Sequence, residues 1–214
     1  MRLFNKLLLV HILMISVGLP VLSEANHDIE DKIYIAQSDG KVTAVVSGVK
    51  SDTFRLKPKE RVLWRNASGY LGAVLTDAGF NVISVSSNYW NNIRLSPYEI
   101  ETATASVSPF IALLVTEDRA IGYNIATDSF YEVRLPLYDS VIAVKSAENV
   151  AVVVTSGTLL GLQSKSSYFT EARLKIGETV ENVHLTDNNV TVQTRERLYT
   201  FTSTGSGWQV TDLD

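Results

Sequence analysis

The clearest hydrophobic pattern in the chain runs from Val150 to Leu174. Val150-Ala151-Val152-Val153-Val154-Thr155 is apolar on both faces, a Ser156-Gly157 turn follows, and Thr158-Leu159-Leu160-Gly161-Leu162-Gln163 forms a second run. After a Ser-rich turn comes Tyr168-Phe169-Thr170-Glu171-Ala172-Arg173-Leu174. Short runs separated by turn residues predict antiparallel strands. The first run predicts a strand covered on both sides. The same unit occurs five times. Its third run ends at Leu56, Leu95, Leu135, Leu174 and Leu213, at intervals of 39 or 40 residues. Arg55, Arg94, Arg134 and Arg173 precede the first four, and Asp212 precedes the last. Trp90, Phe130, Phe169 and Trp208 stand five residues before the Leu in four copies, where the first copy has Ser51. Ser38, Thr76, Thr116, Thr155 and Thr194 close the first run. Three markers on one period predict a repeat architecture.

A weaker fourth run precedes each hydroxyl-ended run after the first copy. It covers Arg61–Arg65, Ile100–Ala105, Val141–Val144 and Val180–Leu185. The expectation is an all-β, five-bladed β-propeller of lean four-stranded antiparallel blades, about 39 residues per repeat.

The run–turn–run–aromatic order is also seen in Val190–Thr194, Arg197-Leu198-Tyr199-Thr200-Phe201 and Gly207-Trp208. From Lys32 to Leu213 it resembles the β-propellers of the quinoprotein-like and WD-repeat-like kind. That resemblance implies a fold and little about function, because propellers host unrelated activities. The quinone-binding members hold their cofactor with a disulfide and metal ligands. This chain has no Cys, so that cofactor is not carried over.

Residues 1–25 read as a signal peptide. Arg2 and Lys6 precede an apolar stretch, Leu7–Leu22, and Ser23-Glu24-Ala25 places small residues at a cleavage site. The stretch is shorter than the ~20 residues that span a bilayer. The expectation is an extracytoplasmic protein, periplasmic or secreted, without stable membrane insertion after cleavage. Residues 26–214 then form a single propeller domain with no internal boundary. Asn26–Asp31 stand where the first repeat should have its fourth strand, and they are polar. Closure then rests on Asp28–Ile33 as the missing strand, on a three-stranded blade, or on an open arc completed by a partner. A net charge of −4 argues against a nucleic-acid binder or an adhesin for anionic lipid.

Candidate chemistry is thin. No nucleophile elbow, HExxH, Walker or GxGxxG pattern occurs, so the chain reads as non-catalytic, with no cofactor and no metal. His27, Asp28, Glu30 and Asp31 have metal-ligand chemistry but sit together on a terminus. Asn66, Ser106, Lys145 and His184 each lie ten residues before a Thr marker. One unlike polar residue per blade suits an asymmetric axial site, although Asn and Ser are also ordinary at strand ends. The four repeat aromatics read as packing between blades. Tyr89, Tyr131 and Tyr168 point to the opposite face of their strands and are ligand candidates. The expected function is an exported, non-catalytic scaffold or assembly factor for a protein partner, with a glycan-binding, lectin-like propeller as the alternative.

Overall fold

The computed structural model describes residues 29–48 and 51–213. The signal-peptide reading, and His27 and Asp28, lie outside the described residues. Sheet 1 holds β1 (Ile33–Ser38), β2 (Lys41–Val46) and β3 (Asp52–Arg55). Sheet 2 holds β4 (Val62–Ser68), β5 (Leu71–Thr76), β6 (Gly79–Ser84) and β7 (Trp90–Arg94). A short helix, α1 (Pro97–Thr102), leads into sheet 3, with β8 (Thr104–Val107), β9 (Ile111–Val115), β10 (Arg119–Asn124) and β11 (Ser129–Arg134). Sheet 4 holds β12 (Val141–Ser146), β13 (Val150–Thr155), β14 (Thr158–Gln163) and β15 (Thr170–Arg173). Sheet 5 holds β16 (Val180–Leu185), β17 (Asn189–Thr194), β18 (Arg197–Thr202) and β19 (Gln209–Asp212). Consecutive strands pair antiparallel within each sheet, and consecutive sheets pack face to face. This is the expected five-bladed β-propeller. The first blade departs from the four-strand rule. Among the described residues it has three strands, and Ile29–Lys32 do not pair as a strand.

The repeat markers have physical causes. Each anchor Leu donates its backbone N–H to the turn between the two central strands of its own sheet. The bonds are Leu56 to Gly40 (2.8 Å), Leu95 to Ala78 (3.2 Å), Leu135 to Asp118 (2.9 Å), Leu174 to Gly157 (2.9 Å) and Leu213 to Glu196 (2.7 Å). The Leu side chain then enters the space shared with the next sheet. Leu56 joins the apolar cluster between sheets 1 and 2, Leu95 that between 2 and 3, Leu135 that between 3 and 4, and Leu174 that between 4 and 5. The aromatic marker points the other way, into the preceding interface: Trp90, Phe130, Phe169 and Trp208 join these same clusters in that order. All four are half-buried, because the outermost strand sits at the rim. Trp90 packs edge-on to Phe54 at 5.0 Å, and Trp208 donates its indole N–H to the Thr170 carbonyl at 3.0 Å.

Ser51 now has a reason. Among the described residues no apolar cluster lies behind the first sheet for an aromatic to enter. Burial tells the same story. The central strands β5, β6, β9 and β13 are buried at every residue. In β2 and β17 burial alternates, so the end sheets are covered on one face only. Among the described residues no apolar cluster joins sheet 5 to sheet 1.

The buried Thr markers close the turn between central strands. Thr155 Oγ1 accepts the Thr158 N–H at 2.8 Å and donates to the Asp139 carboxylate at 2.7 Å. Thr76 reaches Glu60 at 2.7 Å and Thr194 reaches Glu178 at 2.5 Å in the same way. Three carboxylates at one register, in the loops from outer to inner strands, were not evident as a set in the sequence.

Candidate functional site

The innermost strands are β4, β8, β12 and β16, which touch one another from sheet to sheet. Asn66 pairs opposite Ala73, Ser106 opposite Leu113, Lys145 opposite Val152 and His184 opposite Thr191. Each of those partners lies three residues before its Thr marker, so the four candidates occupy one equivalent position in four blades. Asn66, Lys145 and His184 are exposed, and Ser106 is half-buried. Two of them reach the following blade. Lys145 Nζ donates to the Val183 carbonyl at 2.9 Å, and the Ser106 and Ser146 hydroxyls share a 2.6 Å bond. Two members of the row therefore also staple neighbouring blades.

The tyrosines do not join them. Tyr89 and Tyr168 lie in turns that enter the outermost strand, and Tyr131 lies within β11. Tyr89 is 54% exposed and Tyr168 61%. They are spread along the rim of three different blades, away from the inner row.

The residues that the sequence did not single out are on the face that carries the outer-to-inner loops. Register shifts between Val62 and Trp64, between Val141 and Ala143, and between Val180 and Asn182 mark β-bulges at one equivalent place in three inner strands. The extra residues are Leu63, Ile142 and Glu181. A bulge leaves its extra residue outside the ladder and re-aims its side chain. Leu63 is 47% exposed and Ile142 51%. These bulges sit at the end of the inner strands next to the loops. Tyr98, Leu137, Tyr138 and Ile176 are exposed on those loops, so apolar side chains gather on this face. A cavity of about 420 Å³ opens there between sheets 3 and 4, with Val115, Leu135, Leu137, Tyr138 and Val141 in its wall beside Glu117, Asp118 and Asp139.

Tyr138 is held in the left-handed region at φ 72°. The equivalent positions in two other blades are Lys59 at φ 71° and Gly177 at φ 82°. Each precedes the carboxylate that meets a Thr marker, and each closes a turn: Asp139 N–H bonds to Pro136, Glu60 to Lys57 and Glu178 to Lys175. Gly is the residue that fits this conformation without a Cβ penalty. A bulky, solvent-facing Tyr there is strained, and such strain is characteristic of functional positions.

In the third blade α1 takes the place of the simple acidic turn. Ser96 caps it, with Glu99 N–H donating to Ser96 Oγ at 3.2 Å and Ser96 N–H donating to the Glu99 carboxylate at 2.8 Å. Pro97 fits the first turn, where no N–H partner is needed. Arg119 donates to Glu99 at 2.6 Å and also pairs with Glu132. Burial raises the Glu99 carboxyl, but the Ser96 N–H and the Arg119 guanidinium outweigh it and hold the group below the usual carboxylate range. Glu99 thus titrates lower folded than unfolded. Its stabilisation is complete at neutral pH and is lost as pH falls through the lowered folded value. Glu99→Gln is expected to cost about 1.5–3 kcal/mol at pH 7, in line with charged hydrogen bonds. The cost should shrink toward zero in acid. Urea unfolding of both proteins from pH 7 to pH 3 checks this, and a pH-independent gap would refute it.

No family model matches the chain, and no curated protein matches it. Its fold is similar to solved β-propeller structures. Prp20p of Saccharomyces cerevisiae is 6% identical over 79% of this chain and 57% of its own, with a TM-score of 0.43. Apo AztD of Citrobacter koseri is 14% identical over 85% and 58%, with a TM-score of 0.41. Hsv2 of Kluyveromyces lactis is 10% identical over 86% and 74%, with a TM-score of 0.41. The chain thus spans under two thirds of the length of Prp20p and of AztD.

Proposed function

We propose that the chain is an exported, non-catalytic scaffold that docks a protein partner through the face carrying the outer-to-inner loops. The observation that carries this reading is the gathering of exposed apolar side chains on that one face, with Tyr138 held at positive φ at a loop tip. Grouped apolar exposure suits a protein partner. Aromatic anchors commonly supply most of the binding energy at such a surface. Lys145 and His184, further along the inner strands, add polar contacts at the axis. The lectin-like alternative rests on Tyr89 and Tyr168, whose turns are at the opposite end of the blades. Its test is therefore spatially separate. Export rests on the leader-like residues 1–25.

Tyr138→Gly separates binding from stability. Gly relieves the positive φ, so the variant should unfold at an equal or slightly higher denaturant midpoint. Partner capture should fall by about 30-fold, the scale of a ~2 kcal/mol hot spot. A photo-crosslinking residue at Tyr138 should trap a protein from the exporting host, whereas one at Tyr168 should not. Protein adducts only at Tyr168, or glycan adducts there and none at Tyr138, would reverse the assignment of the face.

A further inference from the structure

Among the described residues, the first blade has no strand at the innermost position that the other four blades fill. The first-run strands β5, β9, β13 and β17 are each paired on both edges, but among the described residues their equivalent β1 is paired on one. Ser47 N–H bonds to the Lys32 carbonyl at 2.7 Å, which fixes the alternation of the β1–β2 ladder. Tyr34, Ala36 and Ser38 then bond toward β2, and the N–H and C=O groups of Ile33, Ile35 and Gln37 point to the open edge. A cavity of about 250 Å³ lies along that edge, between β1 and β4, lined by Asp31, Ile33, Ile35, Arg65 and Ala67 among others.

Among the described residues, the chain's own approach to β1 does not pair with that edge. The repeat register would set Ile29 and Glu30 opposite Tyr34 and Ile33, yet neither pairs with β1. Instead Ile29 lies over Gly69 of the second blade. Lys32 N–H bonds to the Gly69 carbonyl at 2.7 Å, and Gly69 N–H bonds to the Asp31 carboxylate at 2.6 Å.

Arg65 supplies the chemistry for an added strand. In the other blades its position holds Ala105, Val144 and Val183, all short and apolar. It pairs opposite Val74, which faces sheet 1, so the guanidinium is directed at the β1 edge. Among the described residues it makes no ion pair. In the third and fourth blades, the inner-strand residue across from the position of Ile35 reaches the next blade, as Ser106 and Lys145 do. A carboxylate at that place in an added strand would face Arg65, and a small aliphatic residue two positions on would cover Ala67.

We propose that the first blade is completed in trans by an extended acidic segment of a partner protein, which adds antiparallel to the open edge of β1 and pairs a carboxylate with Arg65. Main-chain bonding to an exposed sheet edge gives such complexes their affinity, and alternate side chains give their specificity. This goes beyond the loop-face reading and uses a separate surface.

The probe is the acetylated, amidated peptide Thr-Val-Thr-Glu-Thr-Ala-Thr, titrated into the full chain. Saturating peptide is expected to slow hydrogen exchange at the Ile33, Ile35 and Gln37 amides at least tenfold. Replacing the peptide's Glu by Lys should weaken binding at least tenfold by calorimetry, and Arg65→Glu should reverse that preference. Arg65 is exposed, so its variant should fold. Tyr138→Gly should leave peptide binding unchanged, which keeps failure of this proposal distinct from failure of the loop-face reading. Equal affinity for the Glu and Lys peptides would overturn it, as would no slowing of the three amides at millimolar peptide. Slow exchange at those amides before any peptide is added would also overturn it, because residues upstream of Ile29 or a second copy would then fill the edge.

Discussion

Phe201→Ala is expected to lower unfolding stability by about 3–5 kcal/mol, the cost of deleting a fully buried aromatic. Phe201 lies in the interface between sheets 4 and 5, against Val150, Val152, Val190 and Val192, with its ring centroid 5.1 Å from that of Trp208. Its seat is Gly161 of β14. A Cβ built on Gly161 would come 2.7 Å from two ring carbons of Phe201, so the absent side chain is what lets the ring lie flat on the neighbouring sheet. The position is therefore sensitive in both directions. Gly161→Val should cost at least the ~1–3 kcal/mol of an overpacked core, with more from shifts in the flanking strands. The two sites should also be coupled. Gly161→Ala paired with Phe201→Leu should lose less than the sum of the single changes, since the smaller side chain makes room for the new methyl. Denaturant midpoints of the four proteins test this. Strict additivity would mean that Phe201 does not rest on Gly161. Gly122 repeats the device one blade earlier, beneath Leu162 and Phe169.

The repeat was legible because each of its markers answers to one recurring contact. The anchor Leu fills the interface ahead, the aromatic fills the one behind, and the Thr closes the central turn. Even the exceptions carried structural information. Ser51 in place of an aromatic marks the blade behind which no apolar cluster of described residues lies. The shared register of Asn66, Ser106, Lys145 and His184 was legible for the same reason, since strand pairing preserves spacing. The loop face was not. Leu63 and Ile142 look like ordinary members of an apolar run, and only the bulge reveals that they leave the ladder. Tyr138 looks like any loop residue, because nothing in Pro136-Leu137-Tyr138-Asp139 shows that its third position is left-handed. The Arg65 signal was present as a charge among apolar equivalents. It acquires meaning only beside the β1 edge that no described strand pairs.

The five anchor leucines should give a graded series when each is replaced by Ala. Leu95 and Leu135 are 8% and 7% exposed and sit in interfaces filled from both sides, so each should cost about 2–5 kcal/mol. Leu56 and Leu174 also enter filled interfaces but keep more exposure, and they should fall at the lower end of that range. Leu213 makes the same turn hydrogen bond as the others yet is 38% exposed, and among the described residues it joins no apolar cluster. Leu213→Ala should cost no more than about 1 kcal/mol, since little apolar area leaves or enters water at that site. The contrast between Leu135→Ala and Leu213→Ala reads the closure of the propeller directly, because the two residues share sequence register, backbone bonding and side-chain chemistry and differ only in what lies across from them. Equal costs in dilute solution would mean that sheet 1 covers sheet 5 there. A cost at Leu213 that grows with protein concentration, while that at Leu135 does not, would mean that a second copy covers it.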